Sequence, residues 1–163
     1  MEKGFVHIVC GEGEGKTSAA IGQGISAASK GKSVIIIQFL KQKQMDEIGF
    51  IKRLEPEIKV FRFEKSEKSF ECLTEEEQMK ERQNLQNGMN FARKVLATEG
   101  CDVLILDEIL GLLEYGIVTK EEIASLLQAN EGGIEIILTG IYQGKEVWDM
   151  ADRVTEMVTR SKG

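Results

Sequence analysis

Short apolar runs alternate along this chain with longer segments whose apolar positions recur at helical spacing, the pattern of buried strands separated by helices. Phe5–Cys10 is an apolar run ending in glycines and predicts a buried parallel strand that feeds a turn. A helix is expected over Lys16–Lys30, where the small residues Ala19, Ala20, Gly24, Ala27 and Ala28 let it lie close on a sheet and Gly31 supplies a stop. Ser33–Leu40 reads as a second buried strand, with Gln38 and Lys41 at the end that faces a site. A polar loop and short helix fill Gln42–Leu54, and Pro56 marks a break before a third strand at Ile58–Phe63.

Thr74-Glu-Glu-Glu has the form of a capping box with acidic residues in the first helical turn. The helix it opens is predicted to run to about Glu99, with Leu85, Met89, Ala92 and Leu96 as a core stripe and Gly100 as its end. Cys101–Glu108 predicts a fourth strand that terminates in paired carboxylates. Helices at Ile109–Tyr115 and Lys120–Ala129, a fifth strand at Ile134–Thr139 ending at Gly140, a helix at Lys145–Ala151 and a last strand at Arg153–Val158 complete the series. Such alternation implies an α/β fold: one doubly wound, mostly parallel sheet spanning residues 1–163 as a single domain. Ligands on such sheets bind beyond the carboxyl ends of the strands, and the glycine loop, Gln38, Asp107-Glu108 and Thr139-Gly140 all fall there.

Composition narrows the partners. A length of 163 residues suffices to bury about two-thirds of the unfolded surface, and 42% hydrophobic with 29% charged residues is an ordinary globular balance. The net charge of −6 and the lack of a dense Lys/Arg cluster argue against nucleic acid as the main partner. No apolar stretch is long enough to suggest a membrane span, and the N-terminal residues read as the approach to a strand rather than a leader, so a cytoplasmic location is expected. Cys10, Cys72 and Cys101 lack metal-ligand spacing, and His7, the sole histidine, lies in an apolar strand. A zinc centre and a Ser-His-Asp triad both lack residues; His7 reads as packing.

The chemistry concentrates at Gly11-Glu-Gly-Glu-Gly-Lys-Thr17. Glycines let successive backbone N–H groups point at a phosphate, the following helix adds its positive end, Lys16 reaches phosphate oxygens and the Thr17 hydroxyl ligates magnesium. The pattern GxxxxGK[ST] requires glycine where Cys10 stands, so the first glycine is shifted to Gly11. Gly11, Glu12, Gly13, Glu14, Gly15, Lys16, Thr17 and Ser18 are the candidate nucleotide-binding residues, and with them the single domain 1–163 reads as a P-loop NTPase-like nucleotide-binding domain. Glu12 and Glu14 are expected to point outward, since carboxylates beside a triphosphate are repelled. Lys16 is expected to face solvent from the loop. Asp107 and Glu108 stand where P-loop proteins carry a magnesium-binding carboxylate, so Thr17, Asp107 and Glu108 are the candidate metal contacts. Thr119-Lys-Glu-Glu lacks the aspartate of a guanine-reading motif, which disfavours a GTPase switch.

With Gln38-Phe-Leu-Lys41, Val103-Leu-Ile-Leu-Asp-Glu108, Tyr115-Gly116, Leu138-Thr-Gly140 and Ala151-Asp-Arg-Val-Thr-Glu-Met157 following in order, the chain resembles the P-loop ATP:corrinoid adenosyltransferases, also called cob(I)alamin adenosyltransferases. The resemblance implies transfer of the 5′-deoxyadenosyl group of ATP to the cobalt of a reduced corrinoid, with Mg²⁺ present and triphosphate released. It implies Lys16 and Glu108 in catalytic roles, a small-molecule corrinoid as partner, and a homodimer in keeping with family habit. The family covers the corrinoid with a Phe-Thr-Trp segment before the long helix; here the region reads Ser69-Phe-Glu-Cys-Leu-Thr74, and Phe70 is the substitute. The chain also departs from the family pattern near Leu110, where asparagine is usual, at Glu14, where lysine is usual, and at Ile141, where arginine is usual. The family's polar and aromatic tail has no counterpart up to Gly163. A divergent P-loop ATPase and a nucleotide-binding regulatory protein without transfer activity are the alternatives, and reaction products discriminate among the three.

Overall fold

A computed structural model describes residues 4–12, 14–40, 46–141 and 144–161, without the side chains of 46–48. The predicted strands appear as β1 (Val6–Cys10), β2 (Val34–Gln38), β3 (Ile58–Arg62), β4 (Val103–Asp107), β5 (Glu135–Gly140) and β6 (Arg153–Glu156). They form one six-stranded sheet in the order β3-β2-β4-β5-β1-β6, and every pairing is parallel. The helices are α1 (Lys16–Ser29), α2 (Asp46–Ile51), α3 (Glu75–Ala97), α4 (Ile109–Glu114), α5 (Lys120–Gln128) and α6 (Lys145–Trp148), with single 3₁₀ turns at Lys52–Leu54 and Phe70–Cys72. Lys41 and the residues to Met45, which belong to the expected polar loop, lie outside the described residues.

The period-two alternation of the strands divides the apolar residues between two cores, one on each face of the sheet. Val9, Ile36, Ile105 and Ile137 point toward α1, where Ala20 and Ile21 meet them. Ile8, Ile37, Leu106 and Leu138 point the other way, against the stripe Leu85, Met89, Ala92 and Leu96 of α3. Close approach of α1 depends on Gly24, where a Cβ would stand 3.1 Å from Ile105 Cδ1 and 3.4 Å from Val34 Cγ1. This is the role foreseen for its small residues.

Helix ends follow the sequence with adjustments, the largest at α6, which stops at Trp148 instead of the expected Ala151. Thr74 caps α3 as expected: its hydroxyl accepts from the Glu77 N–H at 3.2 Å and the Glu77 carboxylate accepts from the Thr74 N–H at 3.1 Å. Thr119 and Glu122 repeat the same box at α5, where no cap was predicted. At the far end of α3 the left-handed position falls on Glu99 (φ 53°) rather than on Gly100, whose N–H closes onto the Val95 carbonyl at 2.9 Å. The expected strand Cys101–Glu108 likewise stops one residue early, because Glu108 leaves extended geometry (φ 61°) to become the N-cap of α4.

His7 does the structural work expected of it. Its Nδ1 stands 3.1 Å from Gln23 Oε1 and its Nε2 2.8 Å from Thr155 Oγ1, which ties β1 to α1 and β6. Cys10 and Cys101 are buried and Cys72 is exposed; burial pushes the Cys101 thiol up to about 11. Among the described residues no helix is long and apolar enough to cross a membrane.

Candidate functional site

The carboxyl ends of β1, β2, β4 and β5 meet at one carboxylate. Asp107, the last residue of β4, is 1% exposed and accepts three side-chain hydrogen bonds. Thr17 Oγ1 and Thr139 Oγ1 each donate to its Oδ1 at 2.8 Å, and Gln38 Nε2 donates to its Oδ2 at 3.3 Å. The Thr139 hydroxyl also accepts from the Glu108 N–H at 2.9 Å, so one β5 side chain holds both adjoining carboxylate residues in place. Burial pushes the Asp107 carboxyl above its ordinary range, opposed by these hydrogen bonds and by the charge of Lys16. Thr139 and Gln38 were recognised in the sequence only as lying at the correct strand ends; their shared partner comes from the parallel register.

The phosphate loop joins β1 to α1. Gly11 takes φ +104°, and a Cβ there would meet the Met157 carbonyl oxygen at 2.6 Å. Glycine is therefore required at position 11, while position 10 is an ordinary strand residue whose side chain packs in the core; this is why the motif begins one place late. Gly15 takes φ +98° as the N-cap of α1. Glu12 and Glu14 are exposed, Glu12 on the wall of a cavity it shares with Glu108, and the Glu14 N–H donates to Thr159 Oγ1 at 2.8 Å. Ser18 is exposed on the first turn of α1, and Gly13 lies outside the described residues.

Lys16 differs from expectation. It is the first residue of α1 rather than a solvent-facing loop residue, and it is only 5% exposed. Its ammonium acts electrostatically on Asp107 and Glu108, drawing both carboxyls downward. A buried lysine whose charge offsets two buried carboxylates is in place without a flexible stem having to be ordered on phosphate binding.

Glu108 aims elsewhere than its neighbour. Its left-handed backbone turns the side chain into a cavity of about 640 Å³ that adjoins the phosphate loop. Burial, then the negative charge of Asp107, raise the Glu108 carboxyl to about 7 despite Lys16. The paired carboxylates read from the strand end therefore divide their tasks: Asp107 orients Thr17, and Glu108 lines the cavity.

The cavity wall opposite the loop is aromatic. Phe70 and Tyr115 stand with ring centroids 5.0 Å apart, and both line the cavity. Tyr115 Oη donates to Glu71 Oε1 at 2.8 Å, and burial together with Glu71 pushes its hydroxyl up to about 12. Phe70, the residue singled out before α3, sits on the 3₁₀ turn Phe70–Cys72. Glu64, Glu71 and Glu114 also line the cavity, and no local pattern marked them. Two departures from the family pattern have a packing account. Leu110 is buried with its Cβ 2.8 Å from where a Cβ on Gly140 would stand, and Ile141 lines the cavity as an apolar residue.

A parallel sheet with a phosphate loop after its first strand, a buried lysine and threonine at the start of the next helix, and an aspartate at the end of β4 define a P-loop NTPase-like protein. The solved KaiC-like protein PH0186 from Pyrococcus horikoshii OT3 has the same fold, with a TM-score of 0.62 at 20% identity over 94% of this chain and 70% of that one. The family model for ATP:corrinoid adenosyltransferase BtuR/CobO/CobP matches residues 2–162, and the chain belongs to that family. Corrinoid adenosyltransferase CobA of Salmonella typhimurium is 30% identical over 156 residues, covering 96% of this chain and 77% of that protein. The corrinoid adenosyltransferases of Escherichia coli K12 and Pseudomonas aeruginosa are each 26% identical, over 96% of this chain and 77% and 75% of theirs. Membership in a transferase family favours adenosyl transfer over the ATPase and regulatory alternatives.

Proposed function

We propose that this chain transfers the 5′-deoxyadenosyl group of ATP to the cobalt of a reduced corrinoid. The observation that carries the reading is the junction of the Lys16–Thr17–Asp107 cluster with a cavity of about 640 Å³ walled by Phe70 and Tyr115. One end suits a triphosphate, while the other pairs an aromatic wall on which a flat ring can lie with glutamates that can meet polar substituents. In the reaction the Co(I) electron pair forms a bond to the ribose C5′, the C5′–O5′ bond breaks, and triphosphate leaves with that bond's electrons. Cobalt goes from Co(I) to Co(III). Because the nucleophile belongs to the substrate, the protein supplies position and charge, not a base.

The residues present fit a magnesium ion bound together with nucleotide. Their donors are hard oxygens, the Thr17 hydroxyl and the Asp107 and Glu108 carboxylates. No group of three His, Cys, Asp or Glu that could hold a metal by itself occurs among the described residues, so phosphate oxygens complete the set. Thr17 commits its proton to Asp107 and keeps its lone pairs for the metal. Bound magnesium supplies neutralisation of the triphosphate leaving group. Gly11–Thr17 would hold the phosphates through backbone N–H groups, Lys16 would balance their charge, and Glu108 would be a carboxylate available to the ion. Phe70 covers the corrinoid face in place of the family's aromatic segment.

Anaerobic incubation with MgATP and chemically reduced cobalamin tests this. Expected are triphosphate and the absorption spectrum of an alkylated corrinoid. ADP and phosphate with no cobalt–carbon bond would overturn the reading.

A further inference from the structure

Glu81 is a buried carboxylate outside the cluster described above. It lies on the second turn of α3, is 5% exposed, and does not line the cavity. Its Oε1 accepts from the Lys65 N–H at 3.0 Å and from Asn84 Nδ2 at 2.8 Å, and its Oε2 accepts from the Ser66 N–H at 3.1 Å. Two successive backbone N–H groups thus close around one carboxylate, the cradle by which loops grip an anion, with the anion supplied by the protein itself. Desolvating a carboxylate to hold an irregular loop is costly, and the sheet and both cores are complete without it.

The clamp's position along the chain indicates its purpose. Residues 65 and 66 lie between two parts of the cavity wall, Glu64 on one side and Ser69, Phe70 and Glu71 on the other. The same helix secures the rest of that wall. Gln78 Nε2 donates to the Phe70 carbonyl at 3.1 Å, and the Arg82 guanidinium lies 5.3 Å from the Phe70 ring centroid. Among the described residues the phosphate loop is tied instead to the segment after β6, through the Glu14 N–H to Thr159 and the Met157 N–H to the Cys10 carbonyl.

We propose that Glu81 is a positioning residue for the corrinoid: it sets the 64–71 wall, and therefore corrinoid affinity, without acting on the nucleotide. This rests on the adenosyl-transfer reading. In Glu81→Gln the side chain keeps its shape but turns an amide –NH₂ toward one of the two N–H groups, so one backbone donor loses its acceptor. The expected result is a rise of about tenfold in KM for reduced cobalamin, with KM for ATP and kcat changed less than about twofold. Hydrogen exchange on the enzyme alone should show the Lys65 and Ser66 amides losing protection while the β4 amides keep theirs. Asn84→Ala, which releases the carboxylate without burying a new polar group, should shift the same KM in the same direction and serves if Glu81→Gln does not fold. Equal rises in both KM values, or loop amides deprotected with corrinoid KM unchanged, would overturn the proposal. Wild-type enzyme that transfers nothing would instead overturn the adenosyl-transfer reading, while the exchange measurement still tests the clamp.

Discussion

Replacing Glu108 by glutamine is expected to stabilise the nucleotide-free protein, and to do so more as pH rises. Burial and the Asp107 charge hold the Glu108 carboxyl at about 7 in the folded chain, against an ordinary value of 4.5. Between those values the folded protein keeps a proton that the unfolded chain has released, so folding takes up a proton and stability falls with rising pH. Below 4.5 both states are protonated and the cost vanishes; above about 7 it is complete. The interval corresponds to roughly 3 kcal/mol. Glutamine has nearly the same shape and no charge, so it removes that cost. Urea unfolding of both proteins across this range gives the test. The variant's advantage should be small near 4.5, widen toward 7 and level off on the order of 3 kcal/mol above it. Because Asp107 and Glu108 repel each other, the difference reports the Glu108 charge together with its interaction with Asp107. An advantage independent of pH, or one shrinking as pH rises, would refute the claim that this carboxyl is charged at a cost.

Calorimetry of MgATP binding just below pH 7, in buffers of differing ionisation enthalpy, should show proton release in the wild type and much less in Glu108→Gln, because a cation opposite the carboxyl displaces its proton. Asp107→Asn should lower kcat/KM by about a hundredfold through loss of Thr17 orientation, with the melting temperature held or raised because a buried charge is gone. Lys16→Ala should abolish measurable ATP binding and also lower stability at alkaline pH, since two buried carboxylates lose their counter-charge; unchanged ATP affinity would refute the phosphate-site assignment. Thr74→Ala should cost about 1 kcal/mol in urea unfolding by removing one side of the α3 capping box.

Most elements were legible because each has a local cause. Strands buried on both faces announce themselves as runs such as Val34–Ile37, and Thr74 with Glu77 marks a helix start within four positions. The phosphate loop was equally plain, and even its late start has a local reason, since Gly11 must be glycine and residue 10 need not be. What escaped depends on register between strands distant in sequence. Nothing near Thr139 indicates that its hydroxyl will meet Asp107; that follows from β4 lying beside β5. The burial of Lys16 likewise requires the helix and the β4 carboxylates to be in place together. Glu64, Glu71 and Glu114 looked like solvated charge, which is what most such residues are, and only the closing of segments distant in sequence around one cavity gives them another setting.

The hydroxyl–carboxylate junction at Asp107 also orders events in time. The Thr17–Asp107 hydrogen bond joins residues 90 positions apart, and Thr139 adds a partner 32 positions further on. A chain emerging from the ribosome completes its glycine loop early, yet that loop has no oriented metal ligand until β4 has slotted between β2 and β5. On the proposed function, magnesium-dependent nucleotide retention would therefore follow the arrival of β4. It can serve as a single-molecule marker that the central strands have all arrived.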